Sequence, residues 1–148
     1  MNRPTKADRL RVEDAARKAI GRMYSCSPVH GNIPIGDAGA IHEFDIYAEN
    51  TVIGGVSTGT LKTSGQNRNT GSCDRACSEL LWLSLWPGHE SRVHVLTDKA
   101  LAQWLVDRHF KGVVFPRSIT VYHYSCTDDT LHQIGVLGGA ARKAATQI

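Results

Sequence analysis

Between Ala40 and Ser57 the chain reads AIHEFDIYAENTVIGGVS, and the period of this stretch constrains the fold more than any other feature. Successive side chains of a strand point to opposite faces, so Ala40, His42, Phe44, Ile46 and Ala48 share one side. Ile41, Glu43, Asp45 and Tyr47 share the other, which puts two carboxylates on one face. Glu49-Asn50 is turn chemistry, and Val52, Ile53 and Val56 favour a second strand through Ser57 despite Gly54 and Gly55. A hairpin follows as the economical solution.

The period is helical on both sides of this hairpin. Leu10, Ala15, Ala16, Ala19, Ile20 and Met23 recur at helical spacing between Thr5 and Met23, with basic and acidic residues between them. Pro28, Gly31, Pro34, Gly36 and Gly39 interrupt the next dozen residues, which reads as a loop with one short extended piece, an arm over the site. Thr58 to Gly71 is a polar loop carrying Lys62 and Arg68, and Ser72 is placed to cap a helix over residues 73–86 that stops before Pro87-Gly88. Arg92 to Thr97 is a compact strand, Thr97 or Asp98 caps a helix running to about His109, and Ile119 to Tyr124 is a last strand. From Leu131 the glycines at 135, 138 and 139 and the run AARKAATQ point to a tail with at most a short terminal helix.

This order predicts an α/β sandwich around a mixed central sheet, a single domain over 1–148 with its core at about 5–125 and a tail over 126–148. Composition agrees with a folded globular chain, at 41% hydrophobic and 21% charged residues. Seventeen basic against 14 acidic side chains leave a charge of +3, which permits a nucleic-acid partner without identifying one. The polar run after Met1 holds no apolar signal core and no stretch of about 18 apolar residues occurs, so a cytoplasmic protein that does not enter membranes is expected. Cys73 and Cys77 share a helical face, but the spacing is not that of a zinc site, and reduced core thiols are expected at all four cysteines.

With the residues laid out this way, the stretch from Val12 to Tyr124 resembles the PD-(D/E)XK nuclease superfamily, the restriction-endonuclease-like fold. The resemblance rests on a first helix containing Glu13, on EFDIY followed by VIGGVST, and on SELLWLSLWPG leading into RVHVLT. It implies Mg²⁺-assisted phosphodiester hydrolysis, in which carboxylates hold the ion and a lysine stabilises charge or orients water. Asp45 matches the aspartate of that pattern and Glu13 the helix glutamate of some members. Gly55 stands where the second acid belongs, and Ser57 where the lysine belongs. Glycine offers no ligand and a serine hydroxyl carries no charge at neutral pH.

Three substitutes are available in the sequence. Glu43 shares a strand face with Asp45, Glu79 on the next helix supplies another carboxylate, and Lys62 stands in the loop as a displaced lysine. Each also has an ordinary structural role open to it, such as pairing of Glu79 with Arg75 one helical turn away. The candidate metal set is therefore Asp45, Glu43, Glu13 and Glu79, the catalytic set Asp45, Glu43 and Lys62, and the phosphate-contacting set Arg68 and Arg75.

Loss of the acid and the lysine makes a nuclease-fold protein with a degenerate site the expected function. Such a protein binds nucleic acid with little or no catalysis and without a resident Mg²⁺. The alternatives are an active metal-dependent nuclease with migrated catalytic residues and a homo-oligomeric interaction module.

Overall fold

The computed structural model describes residues 4–138. Helix α1 spans Lys6–Tyr24, and strands β1 to β3 span Val29–Pro34, Ile41–Ala48 and Val52–Ser57. Helix α2 (Thr70–Leu85), strand β4 (Ser91–Leu96), helix α3 (Lys99–Gln103), a π-helical turn at Trp104–His109, strand β5 (Ile119–Ser125) and strand β6 (Thr130–Leu137) complete the order.

The six strands form one mixed sheet in the order β1-β2-β3-β4-β5-β6. β3, β4 and β5 run parallel, joined by crossovers through α2 and α3, whereas β1–β2, β2–β3 and β5–β6 are antiparallel. Helix α1 lays Ala16, Ala19 and Ile20 on one face, against Ile46, Val52, Val56, Val93, Val95, Tyr122 and Tyr124. On the other face α2 and α3 bury Ala76, Leu80, Leu83, Leu101 and Ala102 against Phe44, Ile53, Leu96, Ile119 and Val121. The expected hairpin, the flanking helices and the mixed sheet are all present.

Local chemistry explains the element ends. Thr5 and Asp8 close a reciprocal capping box at the start of α1, with N–H to oxygen distances of 3.1 and 2.9 Å. Asp98 caps α3 by accepting from Leu101 N–H and also accepts from Leu61 N–H at 2.8 Å, which ties the 58–69 loop to the C-terminal end of β4. Arg92, buried on β4, donates to the carbonyls of Leu83, Trp86, Gly88 and Glu90, clamping the turn that ends α2.

Three expectations are corrected. Residues 29–34 are the first edge strand of the sheet and not an arm over a site. Residues 130–137 are strand β6 and not a helical tail, because Leu131 and Leu137 pack into the two cores while the backbone pairs with β5. The run from Gly139 onward lies outside the described residues. Third, Phe44 and Ile46 do not share a face: Phe44 joins the core under α2 and Ile46 the core under α1. The β1–β2 register shifts between Val29 and Gly31, opposite Phe44 to Tyr47, and this bulge, which takes in Asp45 and Ile46, breaks the alternation between Phe44 and Ile46. Among the described residues no helix is long and apolar enough to cross a membrane.

Candidate active site

The β2–β3 ladder ends at Ile46↔Gly54, and one further step places Asp45 opposite Gly55. Beyond this point the strands separate, and Val56 N–H donates to Asp45 Oδ2 at 2.8 Å in place of a carbonyl of β2. The carboxylate is thus wedged between two diverging strands. Arg17 of α1 holds the same residue by its backbone, Nε donating to the Asp45 carbonyl at 2.6 Å.

Gly55, Ser57 and His94 all face α2, which sends Glu79 toward them. The Glu79 carboxyl group lies in the volume that a side chain on residue 55 would fill, with its Cγ, Cδ and Oε1 all far closer to an added Cβ than van der Waals contact allows. Only glycine at 55 admits this arrangement. Glu79 Oε2 bonds His42 Nε2 at 2.9 Å, His42 stacks on Trp82, and Glu79 Oε1 is buried without a hydrogen-bond partner.

The electrostatics join the carboxylates that the sequence singles out. Burial, and then the neighbouring Asp45 charge, push the Glu79 carboxyl up to about 8. Burial also raises Asp45, opposed by the Val56 N–H bond and reinforced by Glu43. Glu13 is raised by burial and by Asp45, then by Glu43, with Arg17 working against the shift. Burial lowers His42 and raises Glu79, so it favours the neutral form of each group across their 2.9 Å contact. Clustered carboxylates with raised proton affinity mark a place where a cation would relieve repulsion.

The other candidates divide. Glu43 is exposed beside His30, with 3.9 Å between carboxylate and ring nitrogen, and acts on Asp45 only through its charge. Glu79 bonds His42 and not Arg75, which bonds Ser72 Oγ instead at 3.2 Å. Lys62 and Arg68 face each other across an isolated bridge in an exposed loop, and the Arg68 guanidinium lies 5.1 Å from the Trp104 ring centre. Lys62 thus lies in the exposed loop that leaves Ser57, with Arg68 as its bridge partner.

Mg²⁺ keeps several of its waters and is held by one or two carboxylates. Among the described residues no three His, Cys, Asp or Glu side chains converge as a metal-binding group. Asp45 and Glu79 interact through their charges, and Glu79 Oε1 is a buried oxygen without a hydrogen-bond partner.

One relationship was not expected from the sequence, in which Ser57 stands solely at the place of a missing lysine. Ser57 Oγ and His94 Nε2 are 2.8 Å apart, and His94 is fully buried. The available signal is Gly55-Val56-Ser57-Thr58-Gly59, a Gly-x-Ser-x-Gly pattern at the end of a strand.

Comparison with known proteins returns no match to any family model, curated protein or solved structure.

Proposed function

We infer that this chain is a restriction-endonuclease-like protein whose second acid has moved from strand β3 to helix α2, and that it acts as a divalent-cation-dependent phosphodiester hydrolase. The observation that carries this reading is the Glu79 carboxyl group lying in the side-chain space of Gly55, opposite Asp45. An acid at 55 and an acid at 79 are alternative ways to bring a carboxylate to one point, and the glycine makes room for the second. The element order is consistent with this scaffold: a helix, a three-strand meander whose middle strand carries Asp45, then a crossover helix and a parallel strand.

Asp45 and Glu79 would hold the ion, with Glu13 adding negative charge from the α1 side. A bound Mg²⁺ would neutralise phosphoryl charge and lower the pKa of a coordinated water. Val56 N–H and Arg17 keep Asp45 oriented, and His42 keeps Glu79 from swinging away from Gly55. Lys62, Arg68 and Arg75 supply the phosphate contacts from the loop and first turns leading to Glu79.

The test is nicking of supercoiled plasmid by the purified protein in Mg²⁺ or Mn²⁺. Cleavage that disappears in both Asp45→Asn and Glu79→Gln supports the reading, and the absence of any cleavage removable by Asp45→Asn contradicts it.

A second reading, nucleic-acid binding without catalysis, is favoured by one contact. Ser57 stands at the lysine position and is engaged by His94, so no cationic side chain reaches the scissile phosphate from β3. Salt-dependent binding to DNA or RNA without cleavage would support it.

A further inference from the structure

Ser57 is the last residue of β3, at the C-terminal end of the parallel strands, where open α/β sheets place their ligands. It is half-buried, and its hydroxyl meets a histidine nitrogen at 2.8 Å. His94 is wholly enclosed on the neighbouring strand, and its other ring nitrogen, Nδ1, is buried with no hydrogen-bond partner.

The two glycines around Ser57 serve one purpose. A Cβ at Gly55 would collide with Glu79 and a Cβ at Gly59 with Ser72, both residues of α2. Gly-x-Ser-x-Gly is thus the sequence that lets a helix close tightly over both sides of a strand-end serine. Ser57 itself has no left-handed backbone, so it is presented by an extended strand end and not by a strained elbow. Arg75 of α2 donates to Ser72 Oγ, the group that a Cβ at Gly59 would strike, which sets one guanidinium on the Gly59 side of the strand end, with the Glu79 carboxyl on the Gly55 side.

We propose that Ser57 is a nucleophile toward phosphoric esters, with His94 as the base that takes its proton. The hydroxyl proton passes to His94 Nε2 as the Oγ–phosphorus bond forms, the phosphoryl charge beside the ring offsetting the burial that keeps His94 neutral in the resting protein. The phosphorus–oxygen bond to the leaving alcohol breaks, and that alcohol departs with the proton from His94. Water then cleaves the serine phosphoester by the reverse route, its proton passing through His94 to Ser57 Oγ. Phosphoric rather than carboxylic esters fit the Arg75 guanidinium on the Gly59 side of the strand end. The dyad does not use the Asp45–Glu79 pair, so it stands or falls apart from cation-dependent cleavage.

A fluorophosphonate probe reads the first step directly, since Ser57 Oγ displaces fluoride and leaves a stable adduct on the peptide that contains it. The adduct is expected by mass spectrometry in the native protein with EDTA present, which separates this result from the cation reading. It is expected to be absent in Ser57→Ala and to form at least tenfold more slowly in His94→Gln. Because a buried histidine is replaced, Ser57→Cys gives a second measure. A thiol engaged by His94 should react with iodoacetamide faster than Cys126, an exposed free thiol in the same molecule. No adduct at Ser57, equal labelling in folded His94→Gln, or a thiol in Ser57→Cys that reacts more slowly than Cys126 would each mean that Ser57 merely satisfies a buried histidine, and would overturn the proposal.

Discussion

The carboxyl group of Glu79 fills the side-chain volume of Gly55, one residue reaching from α2 into a space that β3 leaves empty. Gly55→Ala should therefore destabilise the protein by about 1–3 kcal/mol, the usual penalty of overpacking a close-packed site. Combining it with Glu79→Ala should recover part of that loss, because the two side chains compete for one volume. Urea unfolding of the four proteins of this cycle checks it, and additivity of the two single effects would mean that the pair is not in contact.

The pH dependence has two opposing parts. Glu79 is raised from 4.5 to about 8 in the folded protein, so the native state binds its proton more tightly than the unfolded chain does. Its contribution to stability is greatest below pH 4.5 and is lost as pH rises toward 8, by up to about 1.4 kcal/mol per pH unit. His94 is lowered from 6.5 to about 3 by burial, so its neutral form favours folding above 6.5, and stability falls as pH drops below that value. Glu79→Gln should flatten the decline between pH 6.5 and 8, and a folded His94→Gln should weaken the decline on the acid side. Thermal unfolding from about pH 4 to 9 measures both.

Arg92 is enclosed and bound to four carbonyl oxygens at the end of α2. Arg92→Leu should cost about 3–5 kcal/mol, since it leaves several buried acceptors unpaired and releases the turn over residues 86–90. Arg92→Lys should recover little, because an ammonium group cannot reproduce the planar fork. Denaturant unfolding decides; a loss below about 1 kcal/mol for the leucine variant would show the clamp to be dispensable.

If the loop and α2 basics contact phosphates, Lys62→Ala, Arg68→Ala and Arg75→Ala should each weaken binding to single- and double-stranded oligonucleotides irrespective of sequence. Each should also reduce the salt slope of log K by about 0.7–0.9. A slope unchanged in all three would place the binding surface elsewhere. Trp104 adds a specific expectation: it supports the Arg68 guanidinium, so Trp104→Leu should weaken binding in the same direction as Arg68→Ala.

The helices and the central strands are legible in the sequence because each buries a regular stripe: Ala16, Ala19 and Ile20 on α1, Leu80 and Leu83 on α2, and Val93 and Val95 on β4. Edge strands are less legible. β1 carries Gly31 and Pro34 and is largely exposed, so it has no alternating apolar face to read. β6 has Gly135, where an added Cβ would strike Val106, and its pairing with β5 is a long-range property that composition does not announce. At the site, Asp45 and Glu79 are recognisable as carboxylates, but strict alternation puts Phe44 and Ile46 on one face because it ignores the bulge. The exchange between Gly55 and Glu79 is tertiary. Residues far apart in the chain compete for one space, and neither local spacing nor period records it.

Calorimetric titration of Mn²⁺ or Mg²⁺ into the native protein, Asp45→Asn, Glu79→Gln and the transplant Gly55→Glu with Glu79→Ala tests the relocated acid most directly. One cation per native chain is expected, with no measurable binding in either single variant and recovered binding in the transplant, where the carboxylate returns to β3 in the space α2 has vacated. Native protein that binds no cation, or binding undiminished in Glu79→Gln, would contradict it.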